Sequence, residues 1–185
     1  LQNQMICDLN EGYAIYRPRY ILPDYNVYIK KGCEFLELPA PKDLDEALDG
    51  LLILYSHVPS ITTFPVYIGR LDMLLDPFIT DEEQDYIKIK RFLNHVDKTV
   101  PDSFCHANIG PYDTKAGRLI LKAVIELEAP TPNMTIRYDK SKTSREFAEL
   151  AAKACLLVSK PSFANDAYYI SDLGEQYGIA SCYNA

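Results

Sequence analysis

Cys182 is the residue whose type and position are best suited to chemistry. It follows a run of small residues at 178–181 that is predicted to form a short strand, so it would lie on the turn after that strand. A reactive thiol needs a position fixed by the backbone rather than by a long loop. The alternative interpretation is a structural cysteine near one end of the chain.

Histidines decide whether Cys182 could instead act as an ionised nucleophile. A thiolate hydrolase needs an imidazole beside the sulfur, and the chain has only His57, His95 and His106. His95 lies among polar residues of a predicted helix and is expected to be solvated. His106 lies beside Cys105 in a predicted strand, which favours a core histidine. Neither the three histidines nor the five cysteines have the spacing of metal ligands.

The composition and charge of the chain limit the classes of protein to which it can belong. The chain has 185 residues, of which 48% are apolar and 24% charged, as in a globular domain. A net charge of −7 argues against binding to nucleic acid or to anionic membranes. No apolar run reaches about 18 residues, and no secretory signal is visible. An odd number of cysteines without a C-x-x-C pair indicates a reducing, cytoplasmic compartment.

Residues 1–100 are predicted to be mainly helical and irregular. Periodic apolar residues indicate a helix over 43–55 capped by Asp43, and a second that starts at Thr80 with a Thr80/Glu83 capping box. Residues 69–72 are compatible with an ordinary turn that contains an ion pair.

Residues 101–185 alternate between strand and helix patterns, which indicates an α/β fold with a parallel sheet. Strands are predicted at 103–108, 133–138, 167–170 and 178–181, and helices at 114–127 and 143–158. The later helix has a Thr143/Glu146 capping box, an apolar stripe that includes Leu157, and Cys155 as a core thiol. Functional residues gather at the carboxyl ends of such strands, where Asn108 lies.

Five segments, in order, resemble the sequence motifs of glycyl radical enzymes. Residues 69–78 read GRLDMLLDPF, similar to G-R-x-D-Q-Y-x-Y-P-Y, and 116–123 match the helix L-S-x-L-I-L-E-A. PNMTIR at 132–137 resembles P-N-L-S-x-R, and PSFAND at 161–166 resembles P-x-x-F-N-D. YGIASC at 177–182 resembles Y-G-I-x-G-C, the approach to the thiyl cysteine. Among the branches of this family, the sequence as a whole is most similar to the YjjI-like branch.

This resemblance implies a fold and a mechanism. Members of the family are built on a ten-stranded α/β barrel made of two five-stranded halves. A glycine near the carboxyl terminus stores a radical installed by an activating enzyme that uses S-adenosylmethionine and an iron–sulfur cluster. On this resemblance Cys182 is the thiyl site that abstracts hydrogen from a small organic substrate. Asn108, Arg137 and Asp166, at strand ends or in family motifs, are candidate substrate-binding residues.

The chain departs from the family pattern in ways that narrow the chemistry. The glycyl loop, of R-V-x-G-Y type, is absent from these 185 residues, so the chain alone should catalyse nothing. Eliminating members have Glu two residues after the cysteine, where this chain has Asn184, which cannot remove a proton at neutral pH. Pyruvate formate-lyase has adjacent cysteines, whereas here Ser181 and Tyr183 flank Cys182.

The whole chain, 1–185, is therefore predicted to be a single incomplete domain. A helical amino-terminal region would precede the βα units of a half-barrel that ends at the cysteine loop. The remainder of the barrel is its expected partner, and exposed strand edges could also favour a homo-oligomer. The alternative function is a non-catalytic half-barrel module that pairs with a complementary chain.

Overall fold

The computed structural model describes residues 23–62, 66–99, 105–128, 132–174 and 177–178. Cys7, Cys182 and residues 179–181 of the last predicted strand lie outside this part of the chain. Within it, no helix is both long enough and apolar enough to cross a membrane.

Four strands form one sheet in the order in which they occur along the chain. They are β1 (Val66–Arg70), β2 (Cys105–Ile109), β3 (Asn133–Tyr138) and β4 (Ser162–Asn165), and each pairs in parallel with the next. Parallel neighbours need crossover segments, and helices supply them. The predicted α/β class and the parallel strands near 103–108 and 133–138 are therefore confirmed.

In the part of the chain that the structure describes, seven helices accompany the sheet, together with short 3₁₀ turns at Glu34–Leu36 and Asp76–Phe78. The helices are α1 (Tyr25–Lys31), α2 (Leu44–Thr62), α3 (Leu71–Leu75), α4 (Glu82–Thr99), α5 (Lys115–Leu127), α6 (Arg145–Val158) and α7 (Asp166–Leu173). The predicted cap of α2 is confirmed, because Asp43 Oδ1 accepts a hydrogen bond from the Glu46 N–H at 2.9 Å. Thr114 Oγ1 caps α5 by accepting from the Gly117 N–H at 3.0 Å.

The two faces of the sheet differ in chemistry. One face is apolar and packs with the helices into a single core, to which β2 contributes Ala107 and Ile109. Alternation places polar side chains on the opposite face. The register aligns them across neighbouring strands: His106 with Asn133, and Asn108 with Thr135. All four of these polar side chains are buried.

Two helix starts differ from the predictions, because a neighbouring residue makes the cap. Asp81, not Thr80, caps α4, since its Oδ1 accepts from the N–H groups of Glu83 and Gln84 at 3.0 and 3.2 Å. Ser144, not Thr143, caps α6 by accepting from the Phe147 N–H at 3.1 Å.

Two predictions about strands are wrong. The predicted strand 167–170 is part of α7, because Asn165 Oδ1 accepts from the Tyr168 N–H at 3.2 Å and starts a helix there. The strand that pairs with β3 lies just before it, at Ser162–Asn165. Residues 69–72, predicted as a turn, instead join the last residues of β1 directly to α3, so the sheet begins before residue 101.

The carboxyl-terminal part of α6 is more exposed than its apolar pattern predicts. Phe147, Ala151 and Ala154 are buried as expected, whereas Leu157 is 60% exposed. Cys155 is half-buried, so the prediction of a core thiol is wrong.

Candidate active site

Two of the predicted site residues meet at the carboxyl ends of β3 and β4. Arg137 Nε donates a hydrogen bond to Asp166 Oδ1 at 2.6 Å, and both side chains are almost completely buried. Lys142 Nζ lies 3.6 Å from the other carboxylate oxygen of Asp166 and 3.2 Å from Asp139 Oδ2. The carboxylate at the start of α7 is thus compensated by cations from β3 and from the loop that follows β3. A buried charge requires such partners.

Tyr177, which sequence reasoning did not single out, completes this cluster. Its hydroxyl donates to Asp166 Oδ1 at 2.6 Å, and the Arg137 guanidinium lies over its ring, 4.0 Å from the centroid. The ring also stacks on Tyr169 of α7, with centroids 5.3 Å apart. Burial and the neighbouring carboxylate raise the pKa of Tyr177 above its usual value, so the phenol keeps its proton. The only sequence signal for Tyr177 was its place in the motif that ends at Cys182.

The next residue, Gly178, is held from the other half of the sheet. A Cβ atom built on Gly178 would lie 2.5 Å from Cε1 of Tyr67, so only glycine fits against this ring. Tyr67 belongs to β1, and its hydroxyl donates to Asn108 Oδ1 of β2. Asn108, predicted as a substrate-binding residue, is fully buried and positions this tyrosine.

Side chains from β1, β2 and β3 and from the start of α7 therefore surround two consecutive residues. Tyr67 and Asn108 come from β1 and β2, Arg137 from β3, and Asp166 directly follows β4. Tyr67 lies against Gly178, and Asn108 accepts a hydrogen bond from the Tyr67 hydroxyl. Arg137 and Asp166 contact Tyr177. Cys182 is four residues beyond Gly178 in the sequence. The segment that leads to the cysteine in the sequence thus starts at two residues that contact side chains of the polar face.

A second buried carboxylate lies at the ends of β1 and β2. Asp72, in the first turn of α3, accepts hydrogen bonds at Oδ2 from the Gly110 N–H (2.9 Å) and from the Thr114 hydroxyl (3.2 Å). Gly110 has φ +79°, and a Cβ there would lie 2.9 Å from the Arg137 carbonyl oxygen. Burial raises the pKa of Asp72 to about 6, although these donors and the Arg70 charge oppose the rise.

A cavity of about 670 Å³ opens among these strand ends, within the size range of small-molecule sites. Its polar lining includes Arg70, Arg137, Lys142, Asp166 and Tyr177. The cavity therefore contains the paired Arg137 cluster on one side and the end of β1 on the other. Asn108 is not among its lining residues, which agrees with a supporting role beneath Tyr67.

Two of the three histidines are exposed on helices, and one is buried in the sheet. His57 and His95 are exposed on α2 and α4, and the prediction of a solvated His95 is confirmed. His106 is buried in β2 as predicted, on the polar face. Among the residues that the structure describes, no cluster of three His, Cys, Asp or Glu side chains could hold a metal ion.

Comparison with known proteins agrees with this architecture. The family model of the YjjI-like glycyl radical enzymes matches residues 1–185. A Haemophilus influenzae (strain KW20 Rd) protein named only "Uncharacterized protein" is 94% identical over the whole chain. The Escherichia coli K12 "Uncharacterized protein YjjI" is 47% identical over 188 residues, again covering the whole chain. The chain spans 36% of the length of each of these relatives. It belongs to the YjjI-like family of glycyl radical enzymes.

Proposed function

We propose that this chain is the part of a glycyl radical enzyme that builds the first strands of a ten-stranded barrel and carries Cys182 as the thiyl site. The observation that supports this most is that Tyr67 of β1, Arg137 of β3 and Asp166 at the start of α7 contact Tyr177 or Gly178. A hydrogen-atom transfer requires the sulfur to be placed closely against a substrate C–H bond. Contacts from several elements just before the cysteine segment favour such a placement.

The sheet has the polarity that such a barrel requires. Helices pack on the apolar face, and the polar face, with its cavity, would be the inner one. In the reaction the glycyl radical takes the hydrogen atom of the Cys182 S–H, and the thiyl formed takes a hydrogen atom from a substrate C–H bond. These transfers move no charge, so Cys182 requires no neighbouring base. That suits a cavity in which the Asp166 carboxylate is already hydrogen-bonded to Arg137 and Tyr177.

Partners follow from the same proposal. The remaining two thirds of the protein would supply the other strands and the glycyl loop, and a radical S-adenosylmethionine enzyme would install the radical. Exposed apolar side chains lie near β4, where a fifth strand would be added: Tyr138, Leu156, Leu157 and Phe163. Their exposure also suits the alternative, a half-barrel module covered by a complementary chain.

Activation of the full-length protein under strict anaerobiosis tests the proposal. Electron paramagnetic resonance should detect a glycyl doublet after treatment with the activating enzyme, S-adenosylmethionine and a reductant. A full-length protein that is folded but gives no such signal would contradict it. Separately, residues 1–185 expressed alone should associate or precipitate, whereas a monodisperse, cooperatively unfolding monomer would exclude both the half-barrel and the module.

A further inference from the structure

Arg70 differs from the other cations of the cavity in lacking a hydrogen-bond acceptor. Its Nε and Nη2 atoms are shielded from water, yet neither has an acceptor within hydrogen-bond distance. Its guanidinium lies 5.7 Å from the centroid of the Tyr112 ring. Arg137 and Lys142, by contrast, are paired with Asp166 and Asp139. Buried donors of a charged group are costly to leave unsatisfied.

Asp72, whose charge interacts with that of Arg70, does not fill this role. Its Oδ2 accepts from the Gly110 N–H and the Thr114 hydroxyl, and its Oδ1 has no hydrogen-bond donor at all. The charges of Arg70 and Asp72 influence one another, but no hydrogen bond joins them. Asp72 instead accepts hydrogen bonds from the loop after β2, whose Pro111 and Tyr112 line the same cavity as Arg70.

We propose that the Arg70 guanidinium binds an oxyanion group of the substrate, a carboxylate or a phosphate. Guanidinium N–H groups form a planar fork that matches the oxygens of both. Arg70 and Tyr177 line the same cavity, so a molecule held at Arg70 lies beside the segment that leads to Cys182. The inference rests on the proposed function in taking this cavity as the reaction site. It restricts the substrate to small organic acids or phosphate esters.

Anion binding to the full-length, non-activated protein tests this assignment. Acetate and inorganic phosphate are titrated separately by calorimetry at constant ionic strength, with chloride as the balancing anion. At least one should bind saturably, and Arg70→Gln should weaken it at least about tenfold, whereas Arg70→Lys should weaken it less. The anion that binds more tightly identifies the group as carboxylate or phosphate. Arg91→Gln, at an exposed arginine of α4, is the matched control and should bind as the wild type does.

The outcomes separate this inference from the proposed function. Absence of saturable binding by both anions, or equal binding by wild type and Arg70→Gln, would overturn the assignment of Arg70. If Arg70→Gln does not fold, Arg70→Met, which also lacks the charge, replaces it, and binding equal to that of the wild type again overturns the assignment. Cys182→Ser should bind the anion normally. Failure to form a glycyl radical would contradict the proposed function while leaving the anion result intact.

Discussion

Arg70 lies at the end of β1 and Arg137 near the end of β3, and the two guanidinium groups differ in their hydrogen-bond partners. Arg137, at the β3–β4 side, is paired with Asp166 and covered by the Tyr177 ring. Arg70, at the β1–β2 side, has two shielded guanidinium nitrogens with no acceptor. The comparison indicates a division of labour. The ion-paired cluster of Arg137, Asp166 and Tyr177 lies where the segment leading to Cys182 begins, and Arg70, which has no ion-pair partner among the described residues, is left to bind a ligand.

The largest loss of stability should come from breaking the ion-paired cluster of Arg137, Asp166 and Tyr177. Arg137→Gln leaves the Asp166 carboxylate buried with much less compensation, which typically costs about 3–5 kcal/mol. Urea unfolding of the full-length protein measures the change, with Arg91→Gln as a control expected within about 0.5 kcal/mol. A cost for Arg137→Gln no greater than that for Arg70→Gln would remove the distinction between the two regions.

The β1–β2 side should respond to pH through Asp72. Its pKa of about 6 in the folded protein exceeds the ordinary 3.8, so the folded state binds the proton more tightly. The free energy of unfolding that depends on Asp72 is therefore greatest below about pH 4 and decreases as pH rises through 6. Two pKa units correspond to about 3 kcal/mol.

Asp72→Asn should abolish this dependence, because the amide keeps an acceptor oxygen for Gly110 but does not titrate. Unfolding measured from pH 4 to pH 7 should show wild type losing stability relative to the variant. Parallel profiles for the two proteins would show that Asp72 titrates normally.

Removing the Tyr177 hydroxyl from the ion-paired cluster should cause a smaller loss of stability. Tyr177→Phe loses one hydrogen bond to a carboxylate that keeps Arg137, at a cost of about 1–2 kcal/mol. Hydrogen exchange followed by mass spectrometry should increase around 177–178 and remain unchanged in α5. Tyr168→Phe, at a ring that is 63% exposed, is the matched control. Unchanged exchange at 177–178 would mean that this hydrogen bond does not hold the segment.

The smallest effect on stability is expected for Arg70→Gln. The guanidinium makes no hydrogen bond that the glutamine would remove, so the free energy of unfolding should change by less than about 1 kcal/mol. The same urea titration as for Arg137→Gln gives the value. A loss as large as that of Arg137→Gln would show that Arg70 is structural.

The sequence predicts the elements with strong periodicity better than it predicts short ones. α5, β3 and the start of α2 were predicted near their true positions, because long amphipathic stripes and strict alternation leave few alternatives. The end of α2 was predicted at residue 55, whereas the helix continues to Thr62. β1 and β4 have only five and four residues, too few for a periodic signal. In addition, the aromatic residues of 167–170 favour strand, but the Asn165 cap starts a helix there.

The site was predictable only in part, since its contacts join distant residues. Arg137 and Asp166 were selected by motif and do meet, although they are 29 residues apart. The contact of Tyr67 with Asn108 spans 41 residues and has no local signal. Asn108 was expected to bind substrate, and its contact with Tyr67 emerges only when β1 is placed beside β2.

The exchange of the glycyl hydrogen with solvent tests the central claim, that Cys182 is the thiyl site, without a known substrate. Thiol hydrogens exchange with water, so transfer between Cys182 and the glycyl radical in D₂O should replace the hydrogen on the glycyl carbon by deuterium. We expect the doublet of the activated full-length protein to collapse to a singlet in D₂O. Cys155→Ser should behave identically, whereas Cys182→Ser should keep its doublet. Collapse at the wild-type rate in Cys182→Ser would contradict the assignment of Cys182.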